Sequence, residues 1–110
     1  NPEIRIYENG VDAPNEAELP KDEALVDTFR VNYLRDYLSQ LAEAVTVDAV
    51  NVTQYSVWSL NDSWEWIAGF QSKFGLHHVD FSDPSLPRTV KSSGTWYREF
   101  IREHKNRSDT

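Results

Sequence analysis

Val50-Asn51-Val52-Thr53-Gln54-Tyr55-Ser56-Val57-Trp58-Ser59-Leu60-Asn61-Asp62-Ser63-Trp64-Glu65-Trp66 runs from a β-branched, aromatic segment into a loop crowded with indoles. The first half predicts a strand over 50–58, because Val, Thr and Tyr suit a pleated, half-buried surface. In the second half Asp62, Ser63 and Glu65 interrupt any clean core period, which favours a loop that presents its side chains. The stretch 57–66 carries Trp58, Trp64 and Trp66, three of the four tryptophans in the chain. One carboxylate, Glu65, stands between two of those indoles. Indole faces stack on the apolar faces of pyranose rings, and carboxylates accept hydrogen bonds from adjacent hydroxyls, so this pairing suits a neutral polyhydroxylated ligand. Two readings stand at this point: a sugar-binding wall, or a core aromatic cluster with a surface acid.

Upstream, Asp22 is placed as the N-cap of a long helix over 22–46, with Glu23 in its first turn where the macrodipole favours an acid. Phe29, Tyr33, Tyr37 and Leu41 recur at helical steps, with Leu34, Leu38 and Val45 widening the stripe. Arg30, Asp36 and Glu43 fall outside it. Residues 11–22 read as a solvent-exposed polar loop without structure of its own. Before that loop, Ile4 and Ile6 mark a short β-rich run that Asn9-Gly10 ends. A strand, a helix and a strand in this order make one βαβ unit, whose strands are normally parallel. Function in parallel α/β architectures gathers at the C-terminal ends of strands, and both Glu8 and Trp58 fall at such ends. Glu8 is therefore a candidate nucleophile or general acid/base, against the plainer reading of a solvated acid beside a turn.

Downstream, 63–68 is expected to form a helical turn, Gly69 and Gly75 bracket a loop, and Leu76 to Phe81 reads as a short strand ended by Asp83, Pro84 and Pro87. A last helix is expected over 92–104, with Ser92 or Ser93 as cap and Trp96, Tyr97, Phe100 and Ile101 as its apolar face. Gly94 weakens its first turn. The polar tail from Lys105 is expected to fray. His77 and His78 are neighbours in a strand and point to opposite faces, which is poor geometry for a shared metal. Asn51, Asn61 and Asn106 open Asn-x-Ser/Thr sequons, of which Asn106 is the accessible one.

Composition bounds the alternatives. With 110 residues the chain is expected to hold one domain, and its net charge of −7 argues against a nucleic-acid or anionic-membrane partner, both of which select basic surfaces. It is compatible with a neutral substrate. No cysteine is present, so disulfides and thiolate metal sites are excluded, and redox chemistry leaves secreted, vacuolar and cytoplasmic locations open. No apolar run reaches the roughly 18 residues of a membrane helix, and no signal peptide is visible. No phosphate loop or nucleophile elbow is present, and nothing in the sequence calls for a cofactor. The chain opens at Asn1 rather than Met, so a preceding segment is expected.

Taken together, these segments resemble glycoside hydrolase family 1, the β-glucosidase and β-galactosidase family. Asn1 to Gly10 is similar to the run that ends there in Ile-Thr-Glu-Asn-Gly, and Asp27, Arg30, Tyr33 and Leu34 to its Asp-x-x-Arg-x-x-Tyr-Leu helix. Val50-Asn51-Val52 and Tyr55 resemble its Gly-Val-Asn-Val-Arg-Gly-Tyr strand, while Trp58-Ser59-Leu60 through Glu65-Trp66 resembles Trp-Ser-Leu-Leu-Asp-Asn-Phe-Glu-Trp. Phe74-Gly75-Leu76 with Val79-Asp80-Phe81, and Trp96-Tyr97 with Phe100-Ile101, continue the likeness to the last helix. The resemblance implies an α/β fold, the C-terminal portion of a (β/α)8 TIM barrel comprising strand 7, helix 7, strand 8, a long loop and helix 8. It implies that residues 1–110 belong to a single barrel domain with no separate second domain. It also implies Glu8 as the catalytic nucleophile, with Trp58 stacking on the glycone, Glu65 binding its 4- and 6-hydroxyls, Trp66 its 3-hydroxyl, and Phe74 lining the pocket. The implied substrate is a β-glycoside, small-molecule or oligosaccharide, hydrolysed by a retaining mechanism.

The chain departs from the family pattern at several places. Tyr7 stands where threonine is usual, Asn61, Ser63 and Trp64 replace Leu, Asn and Phe, and Ala49, Thr53 and Gln54 replace Gly, Arg and Gly. In the family the replaced arginine lies close to the active-site region, so its loss bears on ordinary catalytic tuning. A whole barrel needs about 250 residues. The Thr-x-Asn-Glu-Pro-like segment that supplies the acid/base is absent, so the isolated chain is expected to be catalytically incomplete, with the N-terminal remainder of the barrel as its partner. The alternatives are a non-catalytic, glycosidase-like carbohydrate-binding or receptor module, and an inactive truncated product.

Overall fold

Two parallel strands joined through a long helix form the frame. The computed structural model describes residues 1–108, with side chains through Lys105; the Asn106 sequon lies outside those side chains. Strand β1 (Ile4–Asn9) pairs in parallel with β2 (Val52–Val57), as the βαβ order predicts. Ile6 faces Tyr55 and Asn9 faces Val57, so three steps along β1 oppose two along β2. The extra residue is a β-bulge at Tyr7–Glu8, a distortion that re-aims side chains beside a strand end.

The single helix expected over 22–46 is two. α1 (Lys21–Ala24) is one turn that starts after Pro20, so Asp22 is not its cap. α2 (Thr28–Thr46) starts after Asp27. The chain breaks between them because its polar groups are used elsewhere: the Leu25 carbonyl accepts the Ser92 N–H at 2.8 Å, and the Asp27 carboxylate accepts the Ser93 N–H at 2.8 Å. The expected apolar stripe of α2 is also corrected. Leu34 and Leu38 are buried beside Arg30, whereas Phe29 and Tyr37 are exposed. Arg30, assigned to the outer face from periodicity, has no exposed surface.

Beyond β2 the chain makes a long excursion and returns as a hairpin. A 3-10 turn covers Trp66–Ala68, shorter than the helical turn expected over 63–68. β3 (His77–Val79) pairs antiparallel with β4 (Arg88–Val90), a partner strand that the sequence reading missed. α3 (Ser92–Ser108) follows at once and runs past Lys105, where fraying was expected. Gly94 in its first turn is required by packing: a Cβ there would lie 2.8 Å from the Leu76 carbonyl oxygen and 2.8 Å from a Val90 methyl. Trp96 and Phe100 stack along the helix, and Tyr97 sits 6.5 Å from Tyr55 on β2.

The interior is polar. Arg30, Lys91, Leu34 and Ser93 are the largest fully buried side chains. Residues 11–22, expected to be an exposed loop, fold a 3-10 turn over Glu16–Glu18 that buries Glu16. Arg30 donates to Glu16 at 2.9 Å, to Asp27 at 2.5 Å and to the Lys73 carbonyl at 2.6 Å. Lys91 bridges Glu16 at 2.8 Å and Asp62 at 2.7 Å. This cluster binds the loop before α1, the start of α2, the loop after β2 and the start of α3 into one unit. Buried charges are stable only when paired and hydrogen-bonded in this way.

Candidate functional site

The C-terminal edge of the parallel pair is where the predicted residues meet. Glu8 is the penultimate residue of β1, and its side chain is exposed. The next two residues lock the edge. Asn9 Nδ2 donates to the Tyr33 hydroxyl at 3.2 Å, and the Tyr55 hydroxyl donates to Asn9 Oδ1 at 2.7 Å. Burial raises the pKa of both phenols, that of Tyr55 strongly, so the Tyr55 hydroxyl keeps the proton it donates while the neutral Tyr33 hydroxyl accepts from Asn9. The Trp58 N–H donates to the Asn9 carbonyl at 2.9 Å. At Gly10 a Cβ would sit 1.7 Å from the Trp58 carbonyl oxygen. Only a residue without a side chain lets β1 end this close to the tryptophan that follows β2. The Glu-Asn-Gly run is thus a presented carboxylate, a clasped amide and a close-approach glycine.

Trp58 is joined to Ser59 by a cis peptide. Its ring is partly exposed, and its indole Nε1–H donates to Glu65 Oε1 at 2.9 Å. Glu65 itself is half-buried and held by its backbone: its N–H donates to the Gly69 carbonyl at 2.7 Å, and its carbonyl accepts the Ala68 N–H at 3.0 Å. Trp66 follows with a positive φ of 47° and 77 % exposure, its ring 5.3 Å from that of Trp64. Phe74 is half-buried, and its carbonyl accepts the Ser59 N–H at 3.1 Å. The backbone therefore brings Glu8, Trp58, Glu65, Trp66 and Phe74 to one end of the sheet. The core-cluster reading of the indoles does not describe what is seen, because Trp64 and Trp66 are both more than half exposed.

The strand position at which the family has its arginine is elsewhere. Thr53 lies near the start of β2, at the opposite end from Trp58, where its Oγ1 donates to Glu3 at 2.6 Å. Position on the strand separates it from the site, whatever the residue it replaces. Other residues the sequence reading passed over matter to the site. Asp62 is buried inside the Trp58–Trp66 loop; its Oδ1 accepts the Gly75 N–H at 3.0 Å and the Lys91 ammonium at 2.7 Å. Glu16 and Lys91 complete that anchor. A signal was available in Asp62, an acid amid aromatic residues, but its partners lie 13 and 29 positions away. Among the described residues no group of three or more His, Cys, Asp and Glu could hold a metal ion.

The chain matches the family described as Glycosyl hydrolase family 1 over residues 1–106. It is 46% identical to Beta-glucosidase 40 of Arabidopsis thaliana over 101 residues, covering 92% of this chain and 20% of that protein. It is 43% identical to Lactase/phlorizin hydrolase of Homo sapiens over 102 residues, covering 93% of this chain and 5% of that protein. Among solved structures it superposes on the β-glucosidase from Trichoderma harzianum with a TM-score of 0.88 at 38% identity, covering 93% of this chain and 21% of the other. The chain spans about a fifth of the length of the β-glucosidases it matches.

Proposed function

Because the chain belongs to glycosyl hydrolase family 1, we propose that it forms one side of the active site of a retaining β-glycosidase of β-glucosidase type. In this reading residues 1–110 are the C-terminal part of a single (β/α)8 barrel domain, with β1 as strand 7, α2 as helix 7, β2 as strand 8 and α3 as helix 8. Glu8 is the nucleophile, Trp58 stacks on the glycone, Glu65 takes its 4- and 6-hydroxyls, Trp66 its 3-hydroxyl, and Phe74 closes the pocket. The observation that carries the reading is the parallel pairing of β1 with β2, which sets the Glu8 strand end against Trp58 through the Asn9–Trp58 backbone hydrogen bond.

The chemistry is double displacement. The Glu8 carboxylate attacks the anomeric carbon and forms a glycosyl-enzyme. A second carboxyl group protonates the leaving oxygen and then activates the water that releases the sugar. The two carboxyl groups of such a site lie about 5–5.5 Å apart. Glu65 is committed to hydroxyl recognition in this scheme, so the second carboxyl group comes from the remainder of the barrel. The test is co-expression of this chain with the N-terminal part of its barrel and assay on aryl β-glucosides. Turnover is expected only from the pair, and Glu8→Gln is expected to lower kcat by about a thousandfold or more. Full activity in that variant refutes the assignment.

Tyr7 favours a second reading. Its phenol is 64 % exposed beside Glu8, at the bulge where the family has a threonine. A phenol in place of threonine next to Glu8 is the departure that fits a module that binds sugar without cleaving it. Saturable binding of a β-glucoside by the assembled pair, without release of the aglycone, supports this second reading.

A further inference from the structure

One oxygen of the Glu65 carboxylate is already engaged within the protein. Trp58 Nε1–H donates to Glu65 Oε1 at 2.9 Å, and among the described residues this is the hydrogen bond that the Glu65 side chain makes. Both partners are fixed from behind. Trp58 is tied by its N–H to Asn9, its carbonyl lies against Gly10, and Ser59 next to it is bound to Phe74 and Leu76. Glu65 is tied through its own N–H and carbonyl to Gly69 and Ala68. The bond therefore spans two separately anchored segments, the end of β2 and the Trp66–Ala68 turn. A neutral donor on a charged acceptor gives a directional bond stronger than one between neutral groups. It fixes the rotamer of a carboxylate that otherwise has broad freedom at its last torsion.

We propose that Trp58 is a positioning residue for Glu65: its indole N–H occupies one carboxylate oxygen and aims the other at the sugar. Recognition of the hydroxyls that Glu65 reads thus depends on the nitrogen of Trp58 as well as on its ring face. This inference rests on the assignment of Glu65 as a hydroxyl-binding residue. It predicts that ring stacking and hydroxyl selectivity can be separated. Trp58→Phe keeps an aromatic face and deletes the donor, leaving Glu65 free to turn.

The first measurement is made on the 110-residue chain itself. In ¹H–¹⁵N spectra the Trp58 indole signal is expected to move when Glu65 is changed to Ala, and its hydrogen exchange to accelerate. An indole signal that ignores Glu65→Ala overturns the proposal, whether or not complementation restores turnover. The second measurement, made on the assembled pair, is the ratio of kcat/KM for an aryl β-glucoside to that for the aryl β-xyloside, which lacks the hydroxymethyl group. Loss of one well-made hydrogen bond to a charged group corresponds to a fall of about tenfold in that ratio. Trp58→Phe is expected to show that fall, while general destabilisation would lower both substrates together. If Glu65→Ala loses the preference and Trp58→Phe keeps it, Trp58 does not position Glu65. If Glu65→Ala also keeps it, the hydroxyl-binding assignment fails instead.

Discussion

At the scale of single residues, two backbone positions carry clear expectations. Gly10 has no room for a methyl group against the Trp58 carbonyl, and the obstacle is backbone on both sides. Gly10→Ala must push the strand ends apart, and it is expected to cost about 2–3 kcal/mol of stability in urea unfolding. It should weaken any ligand that spans Glu8 and Trp58 as well. Ala49 is the opposite case, a residue with a side chain held at φ 56° where the family pattern has glycine. Ala49→Gly removes the Cβ clash of the left-handed region and is expected to raise stability by about 1 kcal/mol. A lower urea midpoint in that variant would show that the turn after α2 tolerates the methyl group. His78 adds a pH dependence. Burial holds its pKa below the ordinary histidine value, with Lys91, Lys21 and Lys73 acting the same way and Asp62 opposing them. The unfolded chain then binds the proton more readily. Stability contributed by His78 is full above its unfolded pKa of about 6.5 and is lost as pH falls through that value toward the lower folded one. His78→Gln is expected to flatten the slope of stability between pH 7.5 and 5.5.

At the scale of elements, the buried ion cluster anchors the loop that carries Trp58 and Glu65, through Asp62. Glu16, Asp27 and Asp62 oppose Arg30 and Lys91, all five wholly or almost wholly buried. Removing one partner leaves an uncompensated buried charge, so Lys91→Met is expected to cost about 3–5 kcal/mol, measured by denaturant unfolding. This cluster also marks the limit of what the sequence makes legible. Strand, helix and strand followed from β-branched runs and helical periodicity, which are local signals. Glu8, Trp58, Glu65 and Trp66 stand out as candidates because strand ends and aromatic loops announce themselves within a few residues. The cluster was invisible because its members are joined across tens of positions: Glu16 reads as a loop acid and Arg30 as a surface cation until the fold brings them together. The division of the long helix was lost for the same reason, since the groups that break it bond to Ser92 and Ser93 at the far end of the chain. The β4 strand was missed because Arg88–Val90 is three residues long, too short for alternation to register.

At the scale of the whole molecule, the apolar surface is unevenly placed. Phe29 and Tyr37 on α2, Tyr7 on β1, and Leu60, Trp66 and Ile67 beyond β2 all lie open. A two-stranded sheet leaves both outer edges unpaired, and such edges recruit further strands. Each of these surfaces fits the proposed barrel, in which other strands and helices cover them. Adding the N-terminal part of the barrel is therefore expected to raise the melting temperature of this chain and to reduce its binding of a hydrophobic dye. A mixture that melts as the sum of its parts would count against assembly. Lys91 offers a way to watch the same process from inside. Its ammonium has no access to solvent, whereas Lys21 and Lys105 are exposed. A water-soluble amine acylating reagent should modify those two at once and Lys91 only when the loop bearing Trp58 and Glu65 swings away from its anchor. The acylation rate at that one nitrogen is then a clock for how often that loop comes loose.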